Sequence, residues 1–144
     1  MIPLDRSGGE RATSAMLAVE AVLARGELFG IFPEGTRSRD GKLYKGRTGA
    51  ARLALKFGCP IFPVGITGTS AIMAPDTVLP KFGKVCKIEI GPPIDTQKYM
   101  SRTDDPAVLR ELTDEVMMKI QALTNQQYLY EYAPKRSNVD RTHI

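Results

Sequence analysis

Histidine is almost missing from this sequence: its 144 residues include one, His143, second from the end, together with two cysteines. Long apolar runs are missing as well. The longest nearly apolar stretch, Pro60 to Ile66, is far short of the roughly 20 residues that span a bilayer. Cys59 and Cys86 lack metal-ligand spacing and lie among apolar residues. They read as small core residues of a reducing cytosol, which excludes a scaffold built on disulfides or metal. The opening Met1-Ile2-Pro3-Leu4-Asp5-Arg6 has no basic segment followed by an apolar run, so it does not read as a secretory signal.

What is present is globular. Apolar residues make up 42% and charged residues 25%, close to the averages of folded domains, so disorder is not expected. The ten prolines and thirteen glycines are spread along the chain, which predicts many loops and no low-complexity tract. A net charge of +4 and a pI near 9.2 favour an anionic partner. Nucleic-acid binding predicts aromatics interleaved with basic residues. Residues 33–47 contain only Tyr44, and Tyr128, Tyr130 and Tyr132 surround Glu131 with no basic residue before Lys135. No nucleic acid is expected as a partner.

Hydrophobic periodicity predicts a helix over 10–25, with Ala12, Ala15, Met16, Val19, Val22 and Leu23 on one stripe and Gly26 as terminator. Leu28 to Phe32 has the length and composition of a strand. Residues 33–47 hold almost no apolar side chains and read as a loop. A second helix is predicted from Thr48, as N-cap, through Phe57, ended by Gly58. Pro60 to Ile66 reads as a buried strand. Val85 to Ile90 reads as a strand with Cys86, Ile88 and Ile90 on one face and Lys87 and Glu89 on a wetter one. The last helix starts at Asp105-Pro106 and turns Leu109, Leu112, Val116, Ile120 and Leu123 inward. This alternation implies an α/β fold with a mixed, partly parallel sheet flanked by helices. Only three or four strands can be counted, few for such a sheet.

The chemistry concentrates in one segment, Phe32-Pro33-Glu34-Gly35-Thr36-Arg37-Ser38-Arg39-Asp40-Gly41. Gly35 can adopt a positive φ and turn backbone amides toward an anion. Thr36 and Ser38 carry hydroxyl donors, and Arg37 a planar fork that matches phosphate oxygens. Residues 34–47 hold five positive side chains, Arg37, Arg39, Lys42, Lys45 and Arg47, against Glu34 and Asp40. Most of the chain's positive excess therefore sits here. A solvated basic loop would show the same charges; the Glu34-Gly35-x-Arg37 combination is what points to a site. A carboxylate in a phosphate site is costly unless it orients an arginine or accepts a hydroxyl.

Phe32-Pro33-Glu34-Gly35-Thr36-Arg37-Ser38 resembles the third signature block of the lysophospholipid acyltransferases, in particular the 1-acylglycerol-3-phosphate acyltransferases. Ile61-Phe62-Pro63-Val64-Gly65-Ile66 resembles their fourth block, and Ile2-Pro3-Leu4-Asp5-Arg6 the end of their second. The resemblance covers residues 2 to 66. It implies that Arg6, Glu34, Gly35, Thr36, Arg37 and Ser38 bind the substrate phosphate, and that Pro63 and Val64 shape the acceptor or acyl region. It also implies transfer of an acyl group from acyl carrier protein or coenzyme A to lysophosphatidic acid, without a metal or resident cofactor, by a protein peripheral to the anionic inner face of the cell membrane. On this reading residues 1–133 are an acyltransferase domain, C-terminal part, and 134–144 a polar tail.

One element of the pattern is not in the sequence. The family's first block places a histidine base five positions before an orienting aspartate. His143 has no such aspartate, so no catalytic residue is assigned. Met1 is expected to be an internal start or a cut end, with the working enzyme extending N-terminally. The other reading is a non-catalytic remnant that binds phosphate or lipid.

Overall fold

The computed structural model describes residues 10–74 and 77–134, with side chains from Leu17 onward. Helix α1 (Glu10–Ala24) is followed by β1 (Leu43–Tyr44), α2 (Gly49–Phe57), β2 (Val64–Thr67), a single turn α3 (Thr69–Ile72), β3 (Lys87–Ile90), a 3-10 segment (Gln97–Arg102), α4 (Pro106–Thr124) and β4 (Tyr128–Leu129). Arg6, His143 and the tail beyond Pro134 lie outside the described residues.

α4 organises the core. The Asp105 carboxylate accepts the Ala107 N–H at 2.8 Å, and Pro106 occupies the first turn, where a missing N–H costs nothing. Asn125, in the left-handed region at φ 54°, ends the helix. Val108, Leu109, Leu112, Val116, Met117 and Ile120 are buried together with Leu43, Ala51, Leu55, Ile94 and Tyr99. Fully burying a side chain such as Leu112 contributes about 1.5–3 kcal/mol. α2 packs on α4 through Ala51 and Leu55, and Gly58 ends α2 at φ 60°. α1 leans on α2 with Val19 buried and Glu20 paired to Lys56 at 2.7 Å.

The strands form two ladders. β1 and β4 pair in parallel, Leu43 with Tyr128 and Tyr44 with Leu129. β2 and β3 pair antiparallel, Val64 with Ile90 through Thr67 with Lys87. The fold is thus α/β with mixed pairing, as the sequence predicts. Four local expectations need correction. Leu28 to Phe32 belongs to no strand among the described residues, and Leu28 and Phe32 are exposed; its apolar content suits a strand, but a strand needs a partner. The loop 33–47 contains β1, whose partner lies at the far end of the chain. Cys59 and Cys86 are free thiols but only half-buried, outside the core.

The fourth correction concerns the β2–β3 ladder, whose apolar face points outward. A β-carbon on Gly65 would stand 2.7 Å from Leu123 Cβ and 3.0 Å from Thr124 Cγ2, so the Gly65–Glu89 side of the ladder rests on α4. Alternation then places Val64, Ile66, Ile88 and Ile90 on the opposite side, where Val64, Ile88 and Ile90 are exposed. On the expected wet face Glu89 is half-buried toward α4 while Lys87 stays exposed, because Gly65 admits the helix more closely than isoleucine would.

Candidate functional site

The basic segment is a tight, internally braced turn. The Gly35 N–H donates to the Phe32 carbonyl at 3.0 Å, and the Arg47 N–H to the Pro33 carbonyl at 2.8 Å, which closes the loop end to end. Gly35 has φ +71°, and a β-carbon there would meet the Arg47 side chain at 3.2 Å. The positive φ favours glycine, and the Arg47 side chain lies in tight contact over the position. Since its amide closes the turn, Gly35 serves by lacking a side chain.

Both acids hold backbone. Glu34 Oε2 accepts the Tyr44 N–H at 2.9 Å and so ties the start of the turn to β1. Asp40 accepts from Ser38 Oγ and from the Lys42 N–H through one oxygen, each at 3.2 Å, and from the Tyr44 hydroxyl at 3.0 Å through the other. Its slight burial acts to raise the carboxyl, but these hydrogen bonds outweigh that and hold it below the ordinary aspartate value. With both acids engaged on the chain itself, the surface of the turn is cationic. Arg37 and Arg39 are exposed on it, and Thr36 and Ser38 are half-buried beside them.

Burial lifts the Glu34 carboxyl above the usual glutamate value; the Tyr44 N–H pulls it back and nearby Asp40 pushes it further up. The folded chain thus binds this proton more tightly than the unfolded chain does. The stability from Glu34 is complete below the ordinary glutamate range and is lost as pH rises through the elevated value. Glu34→Gln keeps an acceptor for Tyr44 and removes the titration. The Tm advantage of E34Q over the parent is expected to grow as pH climbs out of the acid range. Parallel Tm curves across pH would show that Glu34 ionises without penalty.

Two cations at the end of the turn are set by residues that the sequence reading left without a role. Lys45 Nζ lies 4.1 Å from the Tyr130 ring centroid and 5.5 Å from that of Tyr132, and the Arg47 guanidinium lies 5.3 Å from Tyr132. The Lys45 N–H donates to the Glu131 carbonyl at 2.9 Å, which extends the pairing beyond β4. Alternating Tyr128, Tyr130 and Tyr132 carried this signal, but which basic residues they meet depends on pairing across most of the chain.

α4 fixes the same stretch from beneath. Arg110 donates to the Gly46 carbonyl at 2.7 Å and pairs with Asp114, whose other oxygen accepts the Tyr130 hydroxyl at 2.7 Å. Gly46 sits directly on α4, where a β-carbon would meet Met117 Sδ at 2.8 Å. Among the remaining predicted site residues, Pro63 is buried and its carbonyl accepts the Gly91 N–H at 2.9 Å. Val64 lies on the exposed face of β2. The structure therefore ties Glu34 to Tyr44, Ser38 to Asp40 and Gly35 to Arg47 within one turn, with Thr36 and Arg37 in the same segment, and holds Pro63 and Val64 apart, at and beside the β2–β3 ladder. A shallow cleft of about 590 Å³ is lined by other residues, including Glu20, Arg52, Lys56, Met100 and Asp104. Among the described residues no group of His, Cys, Asp and Glu could hold a metal ion.

A family model described as Acyltransferase matches residues 1–67. The 1-acyl-sn-glycerol-3-phosphate acyltransferase of Borreliella burgdorferi is 28% identical over 123 residues, which cover 85% of this chain and 48% of that protein. The enzyme of the same name from Salmonella typhimurium is 34% identical over 97 residues, 67% of this chain and 38% of that protein. The crystal structure of the 1-acyl-sn-glycerophosphate acyltransferase PlsC from Thermotoga maritima aligns with a TM-score of 0.58 and 28% identity, over 78% of this chain and 45% of that one. The chain spans under half the length of each of these three relatives. Over residues 1–67 the chain matches the acyltransferase family model, and its sequence and fold are similar to part of these three enzymes.

Proposed function

We propose that this chain supplies the phosphate grip of an enzyme that moves an acyl group from a thioester to the free hydroxyl of 1-acylglycerol-3-phosphate. The carrying observation is the closed turn of residues 33–47, in which Glu34 and Asp40 accept from backbone and hydroxyl donors, Arg37 and Arg47 are exposed, and the Arg47 side chain lies over Gly35. A phosphate monoester offers several anionic oxygens, and guanidinium forks match their geometry. The names of the relatives supply the rest of the substrate.

In the transfer itself the thioester C–S bond breaks as the ester C–O bond forms, and the hydroxyl proton ends on the leaving thiol. The histidine–aspartate block that would carry that proton is not in this sequence. The role assigned to the chain is therefore to hold the acceptor by its phosphate end. The donor is a thioester of acyl carrier protein or coenzyme A. The setting is the inner face of the cell membrane, with the protein attached peripherally; among the described residues no helix is long and apolar enough to cross it.

Calorimetry with lysophosphatidic acid and with the matching monoacylglycerol, which lacks phosphate, tests the grip. The parent is expected to prefer the phosphorylated lipid. Arg37→Ala removes a charge-assisted bond of about 1.5–3 kcal/mol, and so weakens lysophosphatidic acid by about 10–150-fold while leaving monoacylglycerol unchanged. Equal losses for both lipids would contradict the role given to Arg37. Binding without acyl transfer from either thioester would select the second reading, a non-catalytic phosphate- or lipid-binding remnant.

A further inference from the structure

β2 and β3 form a hairpin whose connection, residues 68–86, is far longer than the hairpin needs. Its base is fastened. The Lys81 N–H donates to the Ile72 carbonyl at 2.7 Å, and the Val85 carbonyl lies where a β-carbon on Gly68 would come within 2.4 Å. Its outer part carries apolar side chains in open solvent: Phe82 is 93% exposed, Val78 86%, Val85 83% and Leu79 79%. Exposure on this scale over neighbouring residues marks a contact surface.

The charge pattern selects the occupant. Lys81 and Lys84 alternate with those apolar residues and Lys87 follows, all exposed, and no Asp or Glu occurs from Thr77 to Ile88. Lys87 is partly neutralised by Glu89 at 2.8 Å, so Lys81 and Lys84 carry most of the field. Apolar side chains that insert below a headgroup layer, flanked by lysines that reach its phosphates, match an anionic bilayer surface. Ile88 and Ile90 continue the apolar surface along β3.

We infer that residues 78–88 dock this chain on anionic lipid, with Phe82 and Val85 entering the interface and Lys81 and Lys84 bound to headgroups. This surface deepens the lipid-directed function proposed above and rests on that reading for its purpose. Its test needs no turnover and no lysophosphatidic acid, so either proposal can fail alone.

Sedimentation of the whole chain with phosphatidylcholine vesicles, with and without phosphatidylglycerol, decides it. The parent is expected to bind the anionic vesicles at least about tenfold more tightly, with the difference shrinking at high salt. Lys81→Glu with Lys84→Glu removes that preference, and Phe82→Ser with Val85→Ser weakens binding to both vesicle types. These side chains are already exposed, so melting curves of the variants match the parent and a lost fold is recognised directly. Equal binding to neutral and anionic vesicles, or variants that bind like the parent, overturns the inference. So does a vesicle-insensitive chain whose self-association is abolished by Phe82→Ser, because a second copy then occupies the surface.

Discussion

Leu112→Ala is expected to lower the unfolding free energy by about 2–5 kcal/mol. Leu112 is 0% exposed, on the face of α4 that meets α2 and the segment around Ile94 and Tyr99. Removing its side chain forfeits the transfer energy of the lost methyl and methylene groups and leaves a cavity. The surrounding Leu55, Leu109 and Val116 are held by their own elements, so the site collapses only in part. Because small domains have total stabilities of about 5–15 kcal/mol, urea titration resolves this change easily. Leu123→Ala, on the same helix but half-buried, is expected to cost less. Similar losses at both positions, or a loss under about 1 kcal/mol at Leu112, would mean that α4 does not anchor the core as described.

The second large effect is expected at Arg110, which links helix, turn and aromatic strand. Its guanidinium serves the Gly46 carbonyl and Asp114 at once, and Asp114 in turn accepts from Tyr130. Burial works against the charge, but the hydrogen bond and the charge of Asp114 outweigh it and hold Arg110 more firmly protonated than usual. Arg110→Met retains much of the packing while leaving a carbonyl and a carboxylate short of a donor. The expected loss is about 1–3 kcal/mol, with binding of lysophosphatidic acid weakened as Lys45 loses its support. Arg110→Lys recovers little, since one ammonium does not reproduce a planar fork. In a double-mutant cycle, Asp114→Asn is expected to be non-additive with Arg110→Met. Additive losses would show that the two residues act separately, and unchanged lipid binding would remove Arg110 from the support of the turn.

What could be read from the sequence was local. Asp105-Pro106 announces the start of α4, Gly58 the end of α2, and the spacing of Leu109, Leu112, Val116 and Ile120 its buried stripe. The basic turn was legible too, since Glu34-Gly35-x-Arg37 and the surrounding charges are contiguous. What escaped depends on distant partners. Leu28 to Phe32 has the apolar content of a strand without pairing as one, and β1 is a strand of two residues only because β4 lies beside it. The outward turn of Ile88 and Ile90 followed from Gly65, whose missing side chain decides which side of the ladder α4 can approach. The contacts of Lys45 and Arg47 with tyrosines were likewise invisible, because no local rule relates residue 45 to residue 130.

The brace between the basic turn and the end of the chain has a consequence for biosynthesis. Gln126 donates to the Gly41 carbonyl at 2.7 Å across a separation of 85 residues, and the Leu43 N–H donates to the Gln127 carbonyl at 2.9 Å. Closing so long an interval is slow compared with forming helices. On the ribosome, residues 33–47 emerge before α4 and the following strand, and acquire this brace only after those have left the exit tunnel. Until then the nascent polypeptide exposes five cationic side chains on an unset segment, open to anionic contacts with ribosomal RNA. Late translation, and not the appearance of the turn itself, sets the moment at which this region takes its final shape.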